Sequence, residues 1–146
     1  MTASFLAQRF TVVTTLERSR VLIDNLVRRY GMGARAKVRA SDIPVLELEE
    51  AASGAIGKLR AEIERALEED GAEAIVLGCA GMTDLARQLQ DFYGVPVVDG
   101  VSAAVKQAEA LVSLGLSTSK RGSYASPLPK PFTGAMSAFS PAGKLG

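Results

Sequence analysis

Apolar positions along this chain change period several times, from alternation or unbroken runs to helical spacing and back. "RFTVVTT" (Arg9–Thr15) is a short β-branched run and predicts a strand. Helical spacing follows from Leu16 to Tyr30, where Leu22, Leu26 and Tyr30 stand four apart and Gly31 is a stop signal. "AKVRASDIP" holds a second strand, ended by Pro44. From Ala51 to Asp70 the stripe Ile56, Leu59, Ile63 and Leu67 predicts a helix with that face in the core, closed by Gly71. "AEAIVLG" is a third strand, apolar on both faces as in the middle of a parallel sheet. Met82–Tyr93 is a third helix, "GVPVVDG" a fourth strand and Val101–Leu114 a fourth helix.

This βαβαβαβα alternation predicts an α/β fold: a four-stranded parallel, flavodoxin-like sheet with helices on both faces. Ligands of such sheets sit beyond the carboxyl ends of the strands, where the strand order reverses. In a flavodoxin-like order that point lies between the first and third strands. Their carboxyl ends carry Thr14–Thr15 and Gly78–Cys79–Ala80–Gly81.

Composition narrows the chemistry. The 146 residues, 47% hydrophobic and 23% charged, suit one globular domain with a real core. A net charge of +1 implies no nucleic-acid partner. No run reaches the length of a membrane span, and "MTASFLAQRF" lacks the layout of a signal peptide. A single cysteine makes no internal disulfide, which favours a reducing, cytoplasmic setting. With no histidine and one cysteine, His-based acid–base chemistry and a Cys/His zinc site are excluded within this chain. Residues 116–146 hold four of the six prolines (Pro127, Pro129, Pro131, Pro141) and the bases Lys120, Arg121, Lys130 and Lys144, with no acid. They read as an extended arm that lies against something else.

Cys79 has two readings. A lone cysteine is commonly a small buried hydrophobe. Its place past a strand and before a helix instead favours a thiolate, through unpaired N–H groups and the helix dipole. Flanking glycines allow a tight turn and close approach of a ligand, and the same N–H groups can hold a developing oxyanion. A thiolate with such a site and no histidine suits proton abstraction beside a carbonyl better than acyl transfer. Thr14-x-x-Glu17 matches a capping box, which can coexist with a ligand role for Thr14 and Thr15. Asp99–Gly100 reads as a turn and helix cap, and Asp84 as a favourable first-turn charge. "GMGARA" follows a helix, so it is not a dinucleotide fingerprint.

Taken in order, "RFTVVTTLERS", "VRASDIPVLELE", "AEAIVLGCAGM", "GVPVVDGVSAAVKQAEALVSLGL" and "SYASPLPKPFTG" resemble the later part of the hydantoin/allantoin racemases of the aspartate/glutamate racemase superfamily. The likeness runs from about Phe5 to Gly134. It implies two similar α/β domains with the active site between them and one catalytic cysteine from each. One thiolate removes the proton at the stereocentre and the other thiol protonates the opposite face, with no cofactor or metal. Cys79 matches the second cysteine. Thr14 and Thr15 match the paired threonines of the substrate pocket, and Ala80 and Gly81 the backbone beside that cysteine. Amino-acid racemases of the superfamily carry Cys-Thr-His here. Cys79-Ala80-Gly81 points to a hydantoin-like ring, either a 5-substituted hydantoin or allantoin.

The resemblance divides the chain into a second racemase domain (1–115) and an arm (116–146) expected to pack on a first domain. It implies a homo-oligomer for the full-length proteins. The domain with the first cysteine has no counterpart here, so a truncated product, impaired on its own and exposing an apolar face, is the expectation. Two other functions compete. Arylmalonate decarboxylases resemble this superfamily and use only the later cysteine, as a proton donor. A non-catalytic flavodoxin-like domain would keep Cys79 as a structural residue.

Overall fold

β1 (Phe10–Thr14) is the strand on which the rest is laid, and all five of its residues are buried. The computed structural model describes residues 1–49, 54–126 and 130–140. β2 (Ala36–Ala40) pairs with one side of β1 and β3 (Ala74–Leu77) with the other, while β4 (Val97–Asp99) adds to β3. All pairings are parallel and the order is β2-β1-β3-β4. Parallel neighbours need crossover connections, and helices supply them. α1 (Thr2–Leu6) precedes β1, and α2 (Glu17–Arg29) joins β1 to β2. α3 (Ala55–Glu69) leads into β3, α4 (Ala86–Tyr93) into β4, and α5 (Gly100–Ser113) follows β4.

Alternate strand residues face two separate cores. Val13, Ile75 and Leu77 pack with Leu59 and Ile63 of α3 and Leu89 of α4. Phe10 and Ala74 pack on the other face with Ala3 and Ala7, flanked by Val27, Val76 and Val98. The doubly covered parallel sheet foreseen from the pattern is therefore present. Burying a side chain such as Leu59 or Ile63 is worth roughly 2 kcal/mol.

Two helix faces differ from expectation. On α3 the buried positions are Ala55, Leu59, Ile63 and Ala66, and Ile56 is 36% exposed. The contact face is thus turned toward the small alanines. The start expected at Ala51 lies outside the described residues. On α2 no residue is buried: Leu22, Leu26 and Tyr30 are all exposed, and the half-buried Ile23 and Val27 face the sheet instead. Leu26 and Tyr30 then edge an apolar groove of about 390 Å³, floored by Phe10, Val12, Val76 and Val98 and reaching Ala103 and Ala104 of α5.

The edge strand β2 is held by charge. Asp70 accepts from Arg39 Nε at 2.6 Å and Nη2 at 2.8 Å, from Lys37 at 3.2 Å and from the Thr11 hydroxyl at 3.0 Å. Arg39 also reaches Glu69 at 2.8 Å and Glu62 at 3.3 Å. The bidentate guanidinium holds the Asp70 carboxyl at a pKa of about 2, and the carboxylates push the Arg39 pKa further up. Both side chains are largely shielded from solvent.

α4 is tied to α3 by Tyr93, whose hydroxyl donates to the Glu64 carboxylate at 3.1 Å and lies 3.3 Å from the Arg60 carbonyl oxygen. Burial and Glu64 raise the Tyr93 pKa to about 12. Asp99 accepts from the Ser102 N–H at 2.7 Å, the capping role read from the sequence. Residues Met1–Glu109 form one compact unit and Ala110–Gly146 a second. Beyond the end of α5, the described part of the second unit contains only the 3₁₀ turns Gly122–Tyr124 and Gly134–Phe139. Pro127, Pro129, Pro141 and Lys144 lie outside the described residues. Among the described residues no helix is long and apolar enough to cross a membrane.

Candidate active site

The carboxyl ends of β1 and β3 lie side by side. Val13 is in register with Leu77, so Thr15 and Cys79, each two residues further along, leave the sheet at the same level. Thr14 and Thr15 are buried, at 2% and 5% exposure. Their backbone is pinned from the β2 side: the Thr14 carbonyl accepts from the Ser41 N–H at 2.9 Å and its hydroxyl at 3.1 Å, and the Thr15 carbonyl accepts from the Ile43 N–H at 3.0 Å. On the β3 side, the Gly78 N–H donates to the Val13 carbonyl at 2.8 Å.

Thr14 does not cap α2. It ends β1, and the cap position falls at Leu16, which makes no side-chain cap hydrogen bond. The capping-box reading is thus set aside, which leaves the Thr14 hydroxyl outside the helix start.

Gly78 is needed for space. A Cβ there would stand 3.2 Å from the Thr14 Cβ, the Val12 Cγ1 and the Val13 carbonyl oxygen. Gly78→Ala is therefore expected to destabilise the chain by about 1–3 kcal/mol, the usual cost of overpacking. Urea unfolding would measure it, and an unchanged midpoint would mean that β1 and β3 separate here without cost.

Cys79 is half-buried and packs against the core of the α3 side, while Ala80 and Gly81 are exposed. The helix expected from Met82 to Tyr93 is divided. Ala80–Leu85 forms a 3₁₀ turn with Cys79 as its N-cap, and the α-helix starts only at Ala86. The Met82 N–H closes the turn on the Cys79 carbonyl at 3.1 Å. A long helix dipole aimed at the thiol, inferred from sequence, is therefore absent. What remains are the N–H groups at the start of the turn, which have no partner within it.

Residues 1–108 match the Asp/Glu/hydantoin racemase family. The chain belongs to it. A hydantoin racemase of Rhizobium meliloti is 56% identical over 126 residues, which are 86% of this chain and 52% of that protein. An allantoin racemase from Klebsiella pneumoniae superposes with a TM-score of 0.86 at 46% identity, over 97% of this chain and 58% of that one. The allantoin racemase of Pseudomonas fluorescens gives 0.79 at 50% identity, over 91% and 57%. The chain thus spans about half the length of the racemase relatives it matches.

Two features beside this candidate site escaped the sequence reading. Ser41 is buried and holds the Thr14 carbonyl. Asp42 adopts a left-handed φ of +52°, the one non-glycine residue with positive φ among those described. The only signal for either was a polar pair after a strand, in "RASDIP".

Proposed function

We propose that this chain carries half of a racemisation site for hydantoin-type rings, with Cys79 as an acid–base at C5 of the substrate. The supporting observation is the meeting of buried Thr14–Thr15 with half-buried Cys79 at the reversal point of the sheet, in a chain of the racemase family.

In this reading the Cys79 thiolate takes the C5 proton, and the electron pair passes into the adjacent ring carbonyl as an enolate. N–H groups of Ala80 and Gly81 hold the enolate oxygen, and the hydroxyls of Thr14 and Thr15 orient the ring. Return of the proton to the opposite face inverts the centre and needs a second acid. This chain has a single thiol, so a second thiol comes from a different polypeptide segment. No step calls on a cofactor or metal. Residues 1–115 act as one α/β domain of a two-domain enzyme, 116–146 as an arm against the other, and the assembly as a cytoplasmic homo-oligomer.

The test is C5–H exchange of 5-benzylhydantoin and of allantoin in D₂O, followed by NMR. Exchange above the uncatalysed background supports a working half-site. Background exchange, also when the chain is mixed with the first domain of a relative, would overturn it. Release of CO₂ from an arylmalonate would move the assignment to the decarboxylases.

A further inference from the structure

The two faces of the sheet are covered unequally. On the α3 side Ile75, Leu77 and Val97 are buried, whereas Val76 and Val98, which alternate with them to the other face, are only half-buried. α2 and α5 flank that second face, and neither has a buried residue. Between them, α1 covers only the part near Phe10, Ala36 and Ala74. The Thr2 hydroxyl accepts from the Gln107 side-chain amide at 2.6 Å, which ties this short helix to α5. Further along the strands, Val12, Val76 and Val98 floor the groove of about 390 Å³.

The shape and chemistry of the groove suit a helix. An all-parallel sheet is normally covered on both faces, since its strands are apolar on both. α5 lines one wall with Gly100, Ala103, Ala104 and Gln107, spaced as a single helical face, and α2 lines the other with Ile23, Leu26 and Tyr30. A Cβ on Gly100 would meet no atom within 4 Å. Small residues on a wall let a neighbouring helix approach to the usual axial distance of about 8–10 Å. Backbone lying in an apolar slot has to satisfy its own N–H and carbonyl groups, and a helix does so internally. α1 already fills one end of the slot as a helix and sets the direction. About two further turns, roughly 11 Å of helix, would reach the carboxyl ends of the strands.

We propose that this groove seats an amphipathic helix of the complementing racemase domain, laid in line with α1 between α2 and α5, with its apolar side chains on Val12, Val76 and Val98. The identity of the donor rests on the reading of this chain as half of a two-domain site. The relatives carry nearly as much sequence again beyond the part that this chain matches. A helix docked here leads the second polypeptide to the edge of the sheet where Thr14, Thr15 and Cys79 stand.

The probe is a labelled peptide of about twelve residues, taken from the Klebsiella pneumoniae allantoin racemase directly ahead of its counterpart of α1. Added to the intact chain, it is expected to bind saturably by fluorescence anisotropy, to gain helix by circular dichroism and to release bound ANS. A scrambled peptide of the same composition, without the apolar face, is expected not to bind. Ala104→Lys places a charge in the groove from an exposed position on α5, and should weaken binding at least about 10-fold with the near-ultraviolet spectrum unchanged. No binding, equal binding of the scrambled peptide, or undiminished binding to Ala104→Lys overturns the proposal. So does a chain that sediments as a dimer the peptide cannot dissociate while Ala104→Lys is monomeric, since a second copy then covers the groove. Binding is read without turnover, so its failure and a failure of C5–H exchange are told apart.

Discussion

Cys79→Ser is expected to slow C5–H exchange by about 10³-fold, to the uncatalysed background, within the span that general acid–base groups contribute. The anion is the working form of a cysteine, and a serine hydroxyl has no comparable population of its anion near neutral pH. The substitution keeps the side-chain shape. Because Cys79 is only half-buried, the fold should lose less than about 1 kcal/mol. Exchange and urea unfolding measured on the same preparation separate the two effects. Exchange that survives in the serine variant would hand proton transfer to another group and leave Cys79 a packing residue. Loss of exchange together with loss of folding would be answered by Cys79→Ala, which keeps an apolar contact with the core.

Asp70→Asn is expected to lower stability by about 2–3 kcal/mol at pH 7. The carboxylate receives four donors from three residues on two strands, and it is 5% exposed. An amide cannot accept both arms of the Arg39 fork, and a largely shielded guanidinium then keeps only Glu62 and Glu69. The pH dependence follows from the depressed pKa. The Asp70 carboxyl titrates at about 2 in the folded chain against an ordinary 3.8. Its contribution is complete above pH 3.8 and fades as the pH falls toward 2, and a gap of nearly two units corresponds to about 2 kcal/mol. Guanidinium unfolding of both proteins at pH 7 and near pH 2 checks this, since the other carboxylates cancel in the difference. A gap of equal size at both pH values would show that the loss comes from packing and not from the charge.

The succession of strands and helices was legible in this sequence because the two differ in period and each strand is bounded by Gly, Pro or polar residues, and the strand order followed from the flavodoxin-like topology that succession implies. The side of each helix that meets the sheet was much less so. α2 carries apolar residues on two adjoining faces, and spacing alone cannot say whether Leu22–Leu26 or Ile23–Val27 turns inward. In α3 the buried face includes Ala55 and Ala66, which look neutral beside Ile56 and Leu67. The Thr14-x-x-Glu17 pattern matched a cap without fixing where β1 ends, and β1 runs through Thr14. Nor does composition distinguish a 3₁₀ turn from an α-helical one, so the segment after Cys79 read as one continuous helix. That Thr14, Thr15 and Cys79 lie at neighbouring strand ends was legible because the topology of a parallel sheet brings the ends of its first and third strands together.

The groove edged by Leu26 and Tyr30 affects how this protein must be assayed. Amphiphilic dyes such as ANS bind apolar surface of this kind, and their fluorescence is commonly read as the mark of a molten globule. Here the natively packed chain will light such a dye, because the groove is open in the folded state. With no tryptophan and only three tyrosines, intrinsic emission offers little correction. Dye binding thus reports the native surface, and loss of structure has to be followed by near-ultraviolet circular dichroism or amide exchange.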